Sequence, residues 1–226
     1  MANVILVVGD TGTGKSTSMQ TLNPKETIII NCSKKPLPFK GSKEMYKPNV
    51  GEYELDTANS INVLLKEVNT KAPHIKNIVI DDSGFIMTEL FFSKAEEKGY
   101  EKFTQIAKAY QSVLSTCKSL RGDLNVAIMM HEEDSVSNGI IVGKKGKTVG
   151  KLVDDQYNPL SVVTVALFTD VSFDKDGKPN YTFVTNRCLK SGVVIPAKSP
   201  QGMFDSLQIP NDLSVVFNSA REFYGN

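Results

Sequence analysis

The chain is poor in the residues that build covalent or metal-held frameworks. Its three cysteines, Cys32, Cys117 and Cys188, stand far apart with no C-x-x-C, and it has only two histidines, so neither a disulfide scaffold nor a zinc site is expected. A reducing, cytoplasmic setting fits that usage. Charge excess is also missing: a formal net charge of +1 excludes a globally basic surface, and any grip on nucleic acid must be a local patch. No apolar run is long enough to span a membrane and "MANVILVVG" has no basic leader region, which predicts a soluble protein with no membrane partner. Arginine is scarce, with Arg121, Arg187 and Arg221 the only three. Enzymes that clamp two phosphorylated substrates favour several guanidinium groups, because each matches phosphate bidentately, so the shortage weighs against a small-molecule kinase. Internal repeats, heptads and low-complexity tails are absent as well.

What is present suits one α/β core. The 226 residues are 40% hydrophobic and 23% charged, which predicts a single domain over 1–226. "NVILVVG", "TIIINC", "NIVIDD" and "NVAIMMH" are short, continuously apolar, β-branched runs, the pattern of strands buried on both faces. Between them, "ANSINVLLKEVNT" carries Ile61, Leu64, Leu65 and Val68 at helical spacing. "GYEKFTQIAKAYQSVLSTCKSL" does the same with Phe103, Ile106, Ala107, Tyr110, Val113, Leu114 and Cys117. Strands alternating with helices imply a mostly parallel sheet whose strands end at one edge. Asp176-Gly177 separates two further β-rich runs and predicts an antiparallel extension. Asn211 or Asp212 caps a last helix with Leu213, Val216, Phe217, Ala220 and Phe223 on its packed face.

The chemistry is concentrated after the first strand. Gly9-Asp10-Thr11-Gly12-Thr13-Gly14-Lys15-Ser16 matches G-x-x-x-x-G-K-[ST] between an apolar strand and a predicted helix, the context the motif needs. Glycines there let successive backbone N–H groups curl around phosphate oxygens, and the helix N-terminus adds its positive end. The loop from Asp10 to Gly14 is then the cradle, Lys15 reaches the β- and γ-phosphates, Ser16 offers its hydroxyl to Mg²⁺, and Thr17 lies near the α-phosphate. ATP with Mg²⁺ is the expected ligand pair.

"IVIDD" supplies acids at the end of a buried strand. Asp81 is placed to hold the magnesium shell and Asp82 to orient or deprotonate an attacking water, the alternative being that they cap the helix starting near Ser83. His131 ends the next strand, where it would touch the γ-phosphate or its water, or else be a hydrogen-bonded structural residue. His74 sits in a turn and earns no role. Phe91 and Phe92, after the acidic strand, read as core rather than as a surface for DNA.

Taken together, "GDTGTGKST", "IINCSKKPLPFKG", "IVIDDSGFIM", "MMHEED" and "AKSPQGMFDSLQIPNDL" resemble the RecA-like P-loop ATPases, and among them the phage single-strand annealing ATPases of the Sak-four type, almost end to end. Only the first segment is specific alone; the combination carries the likeness. It implies an α/β RecA-like P-loop fold, a mostly parallel sheet with flanking helices and an antiparallel extension. It also implies an ATPase that promotes strand annealing in phage DNA recombination. Single-stranded DNA, a single-strand binding protein and further copies of the chain are the implied partners, in the host cytoplasm.

Two departures qualify the likeness. "TIIINC" is followed by Ser33-Lys34-Lys35, without the glutamate that RecA-like recombinases use to activate water, which shifts that role to Asp82. Little precedes the first core strand, so a recombinase's N-terminal hooking arm is not expected.

The resemblance also implies a DNA-binding loop after the His131 strand, and a flexible loop is expected at about 132–158. Its segment "GKKGKTVGK" holds Lys144, Lys145, Lys147 and Lys151 and no acid, a pattern that can track a phosphate backbone. Stacking aromatics are missing there, with only Tyr157 nearby; a solvated hairpin is the alternative. A positive group from an adjacent subunit commonly completes such sites, and Arg187, Lys190 and Lys198 are the candidates. Two other functions stay open: a small-molecule P-loop kinase, and a nucleotide-regulated binding module with little turnover.

Overall fold

A computed structural model describes residues 1–149 and 158–225. The four apolar runs form β1 (Asn3–Gly9), β2 (Thr27–Asn31), β4 (Asn77–Asp81) and the start of β5 (Asn125–Ser137), with a short β3 (Glu52–Tyr53) beside β2. The helices are α1 (Ser42–Met45), α2 (Ala58–Lys71), α3 (Gly84–Ser93), α4 (Glu101–Ser119) and α5 (Leu213–Tyr224). The remaining strands are β6 (Ile140–Gly146), β7 (Val165–Phe173), β8 (Pro179–Val184), β9 (Cys188–Lys190), β10 (Val193–Ile195) and β11 (Gln208–Pro210).

The main sheet runs β11-β8-β7-β1-β5-β4-β2-β3. From β3 to β7 every pairing is parallel, and β7, β8 and β11 pair antiparallel. The α/β class, the mostly parallel sheet and the antiparallel extension are thus as the sequence predicts. The continuous apolar runs have their reason here: Val4, Leu6 and Val8 of β1 pack beneath α2, α3 and α4, while Ile5 and Val7 pack beneath α5. Alternate side chains of one strand leave on opposite faces, so a strand covered on both sides must be apolar throughout. No helix among the described residues is long and apolar enough to cross a membrane.

Capping is local and legible. Thr57 accepts from the Ser60 N–H at the start of α2, and Asp212 accepts from the Ser214 N–H at 2.8 Å at the start of α5. Leu213, Val216, Phe217 and Ala220 are buried as expected, whereas Phe223 is exposed, edge-on to Tyr224. Phe91 is partly buried against Phe103, and Phe92, expected in the core, is 65% exposed.

Two expectations need correcting. The helix expected after the glycine-lysine loop is a single 3-10 turn, Ser16–Met19. Pro24 follows within eight residues of Ser16, and a chain that must turn back into β2 has no room for a longer helix. The segment expected as a flexible loop at about 132–158 is, as far as Gly146, a paired hairpin. β5 runs on past His131 to Ser137 and pairs antiparallel with β6. Asn138 and Gly139 turn it, with φ of 50° and 77°, the two left-handed residues of a type I′ turn. Residues 150–157, with Lys151 and Tyr157, lie outside the described residues.

Candidate functional site

Because β1, β4 and β5 are parallel neighbours, their carboxyl ends bring the predicted residues together. Gly9 is level with His131 across the β1–β5 ladder, and Ile80 with Ile128 across β4–β5. The loop from Asp10 to Lys15 leaves β1 at that level and lines a cleft of about 750 Å³ with Ser16, Asp82 and His131. Open α/β sheets bind ligands at this edge, outside the carboxyl ends of their strands.

The loop is held open by its own short-range bonds. Asp10 accepts the Thr11 N–H through its carboxylate at 2.7 Å, and its carbonyl accepts the Thr13 hydroxyl at 2.7 Å. The N–H groups of Gly12, Gly14, Lys15 and Ser16 have no acceptor among the described residues outside a helix, so they remain for an anion. Gly12 and Gly14 have φ of 78° and 88°, a conformation in which L side chains are strained. With only one 3-10 turn behind the loop, these N–H groups, rather than a helix dipole, supply the positive field.

Lys15 is buried, and its ammonium donates to the carbonyls of Gly9 at 3.0 Å and Asp10 at 2.8 Å. Burial lowers its pKa, and Asp82 and Asp81 oppose that shift. Ser16 donates its hydroxyl to Asp81 Oδ1 at 2.9 Å. Asp81 is 3% exposed, and burial, with the Asp82 charge beside it, pushes its carboxyl up to about 6. Asp82 adopts φ of 52°, a left-handed turn that swings its carboxylate to 3.4 Å from His131 Nε2. The bond from His131 holds Asp82 below the usual carboxylate range, against its burial. Neither acid is the N-cap of α3: that position is Ser83, which makes no side-chain cap bond.

Hard oxygen donors in an electron-rich pocket suit a divalent cation. Ser16 and Asp81 offer two oxygens 2.9 Å apart, and Asp81 is a buried acid short of positive charge. No group of three or more His, Cys, Asp or Glu among the described residues is arranged to hold a metal ion, so these side chains alone build no cage. Mg²⁺ fits such a sparse set, because it keeps waters and substrate phosphates as ligands.

The far wall was invisible to sequence reasoning. Pro179, Asn180 and Tyr181 of β8, Pro210 at the end of β11 and Asn211 just after it face the loop across the cleft. A Cβ on Gly14 would come within 3.1 Å of the Tyr181 ring and 3.2 Å of Asn211 Nδ2, and Asn211 also donates to the Thr13 carbonyl at 3.4 Å. No local pattern marks these residues, since only the order β8-β7-β1 brings them beside the loop.

The lysines predicted to bind DNA are placed differently from the expectation. Lys144 bridges Glu132 and Asp134, each at 2.8 Å, and Lys145 lies 3.6 Å from Glu133. Hairpin pairing sets the acids of β5 opposite the lysines of β6, so these two are largely neutralised in place. Lys147 is exposed, its N–H bonded to the His131 carbonyl at 2.8 Å. None of the candidates for action in a neighbouring subunit lines the cleft. Arg187 is exposed before β9, Lys190 is bound to Asp170, and Lys198 has its pKa lowered by burial. No family model matches the chain, and no curated protein matches it.

Proposed function

We propose that the chain binds ATP with Mg²⁺ at the glycine-lysine loop and hydrolyses it, as a RecA-like P-loop ATPase that anneals single-stranded DNA in phage recombination. The observation that carries the nucleotide part is the convergence of Lys15, Ser16, Asp81 and the Asp82–His131 pair at the carboxyl ends of three adjacent parallel strands. The DNA part rests on the resemblance of five segments to the annealing ATPases.

In this reading the free N–H groups of Gly12, Gly14, Lys15 and Ser16 hold the β-phosphate, and Lys15 exchanges the carbonyls of Gly9 and Asp10 for phosphate oxygens. Ser16 and Asp81 would hold Mg²⁺, which when bound neutralises charge on the β- and γ-oxygens. Asp82 orients a water in line with the γ-phosphorus; the water oxygen forms the new bond, ADP leaves, and the water's proton passes to Asp82 or to the phosphate. His131 fixes the Asp82 carboxylate and senses whether the γ-phosphate is present.

A second reading draws support from that same pair. A carboxylate whose pKa is held down is a weak base. Together with the missing glutamate after β2, this favours slow turnover and a nucleotide-regulated binding module. Steady-state ATP hydrolysis, with Mg²⁺, with and without unstructured single-stranded DNA and with Lys15→Ala as background, separates the readings. Stimulation by DNA supports the annealing ATPase. Binding of ATP with equal, very slow turnover supports the module, and no nucleotide binding sinks both.

A further inference from the structure

We propose that Lys35 binds the terminal phosphate of the nucleotide in cis, supplying within one chain the charge sought from a neighbouring subunit. The proposal rests on the nucleotide reading above. Among the described residues, the lining of the cleft contains two ammonium groups, Lys15 and Lys35. Lys15 belongs to the loop; Lys35 enters from the end of β2, on the side where Asp82 and His131 stand.

The turn after β2 separates two adjacent lysines. Lys34 takes a left-handed φ of 55° and carries its ammonium to Asp56, 2.5 Å away. Lys35 goes the other way. Its carbonyl accepts from Asn31 Nδ2 at 2.7 Å, and Asn31 is itself buried and bonded to Glu52 at 2.7 Å, which anchors the backbone beneath the side chain. The Lys35 ammonium has no ion-pair partner among the described residues and rests 5.3 Å from the centroid of Phe85, three residues beyond Asp82. An exposed cation over an aromatic face is weakly held. A phosphate oxygen in the cleft offers a charge-assisted bond that outcompetes the ring.

Position decides which phosphate. The loop N–H groups take the inner phosphates and Lys15 spans the β- and γ-phosphates from the loop side, so the side of the terminal phosphate toward Asp82 and His131 is left for a second cation. Lys35 reaches that space from the strand end where a recombinase would place its glutamate. The residue at that strand end then acts on the phosphate as a cation instead of on the water as a base.

The test is equilibrium binding of a non-hydrolysable ATP analogue and of ADP, each with Mg²⁺, to the parent, Lys35→Ala, Lys35→Arg and Lys34→Ala. Loss of one charge-assisted contact should weaken the triphosphate analogue by roughly tenfold in Lys35→Ala while ADP stays within about twofold. Lys35→Arg should recover most of the preference, and Lys34→Ala should keep it. An unchanged triphosphate-to-diphosphate ratio in Lys35→Ala, or an equal loss for both ligands, overturns the proposal and leaves the nucleotide reading standing. A parent that binds neither ligand overturns the nucleotide reading and this proposal with it.

Discussion

Gly9 is where packing and site meet most tightly. It ends β1, its carbonyl holds the Lys15 ammonium, and β7 passes so close that an added Cβ would stand 1.7 Å from Thr169 Oγ1 and 2.9 Å from Thr169 Cβ and Thr13 Oγ1. Ordinary contact needs about 3.5 Å. Rotating Thr169 relieves the first clash but gives up its 2.6 Å hydrogen bond to Thr13, and its Cβ cannot retreat without β7. Overpacking of that size costs about 2 kcal/mol and the lost bond about 1 more, so Gly9→Ala should destabilise the protein by about 3 kcal/mol. Urea unfolding followed by circular dichroism would show this as a midpoint lowered by about 1 M at unchanged slope. Thr169→Ala added to Gly9→Ala removes the worst clash and leaves the 2.9 Å approach to Cβ, so recovery should be partial, with a favourable coupling of about 1 kcal/mol or more. Strict additivity of the two substitutions, or a Gly9→Ala variant within about 0.5 kcal/mol of the parent, would refute the reasoning.

Three further perturbations test other parts of the picture. Asp81 ionises near 6 in the fold against an ordinary 3.8, so stability is fully present below about pH 4 and is lost as pH rises through 6. Asp81→Asn should therefore stabilise the magnesium-free protein by about 3 kcal/mol at pH 7, yet abolish Mg²⁺-dependent hydrolysis; destabilisation in chemical denaturation would contradict this. Lys144 is already paired with two acids, so Lys144→Ala should leave the salt slope of single-stranded DNA binding unchanged, whereas Lys147→Ala should reduce it by about 1 if the hairpin base touches the strand. The reverse ranking would place the DNA on the hairpin's paired face. Tyr46 is fully buried, and burial pushes its phenol up to about 12 from 10.0, so stability holds below pH 10 and falls by about 3 kcal/mol as pH climbs to 12. Tyr46→Phe should lack that part of the alkaline decline between pH 10 and 12, and parallel declines would show that the phenol does not titrate as described.

The parts of the protein legible in the sequence are those that local chemistry dictates. Continuous β-branched runs forecast strands covered on both faces, and β1, β2, β4 and the first half of β5 are such strands. Gly12, Gly14, Lys15 and Ser16 marked the loop, because a left-handed turn needs glycine and a phosphate cradle needs free N–H groups in succession. The hairpin was also written locally, in Asn138-Gly139, but its glycines and lysines suggested a slack loop. That turn read as a hairpin would have put residues equidistant from it face to face, Glu133 opposite Lys144; a bulge between Ser135 and Val136 shifts the register by one, so that Glu133 and Asp134 face Lys145 and Lys144.

Tertiary structure alone decided the rest. Tyr181 and Asn211 meet Gly14 only because β7 pairs with β1 and carries β8 beside the loop. Lys34 and Lys35 are chemically alike and adjacent, yet one is held by Asp56 and the other lines the cleft, as the backbone turns left-handed between β2 and the following segment. Neighbours in a strand run are set by side-chain alternation, which a sequence displays; neighbours across a sheet edge are set by strand order and the turns between strands, which depend on the whole core packing at once.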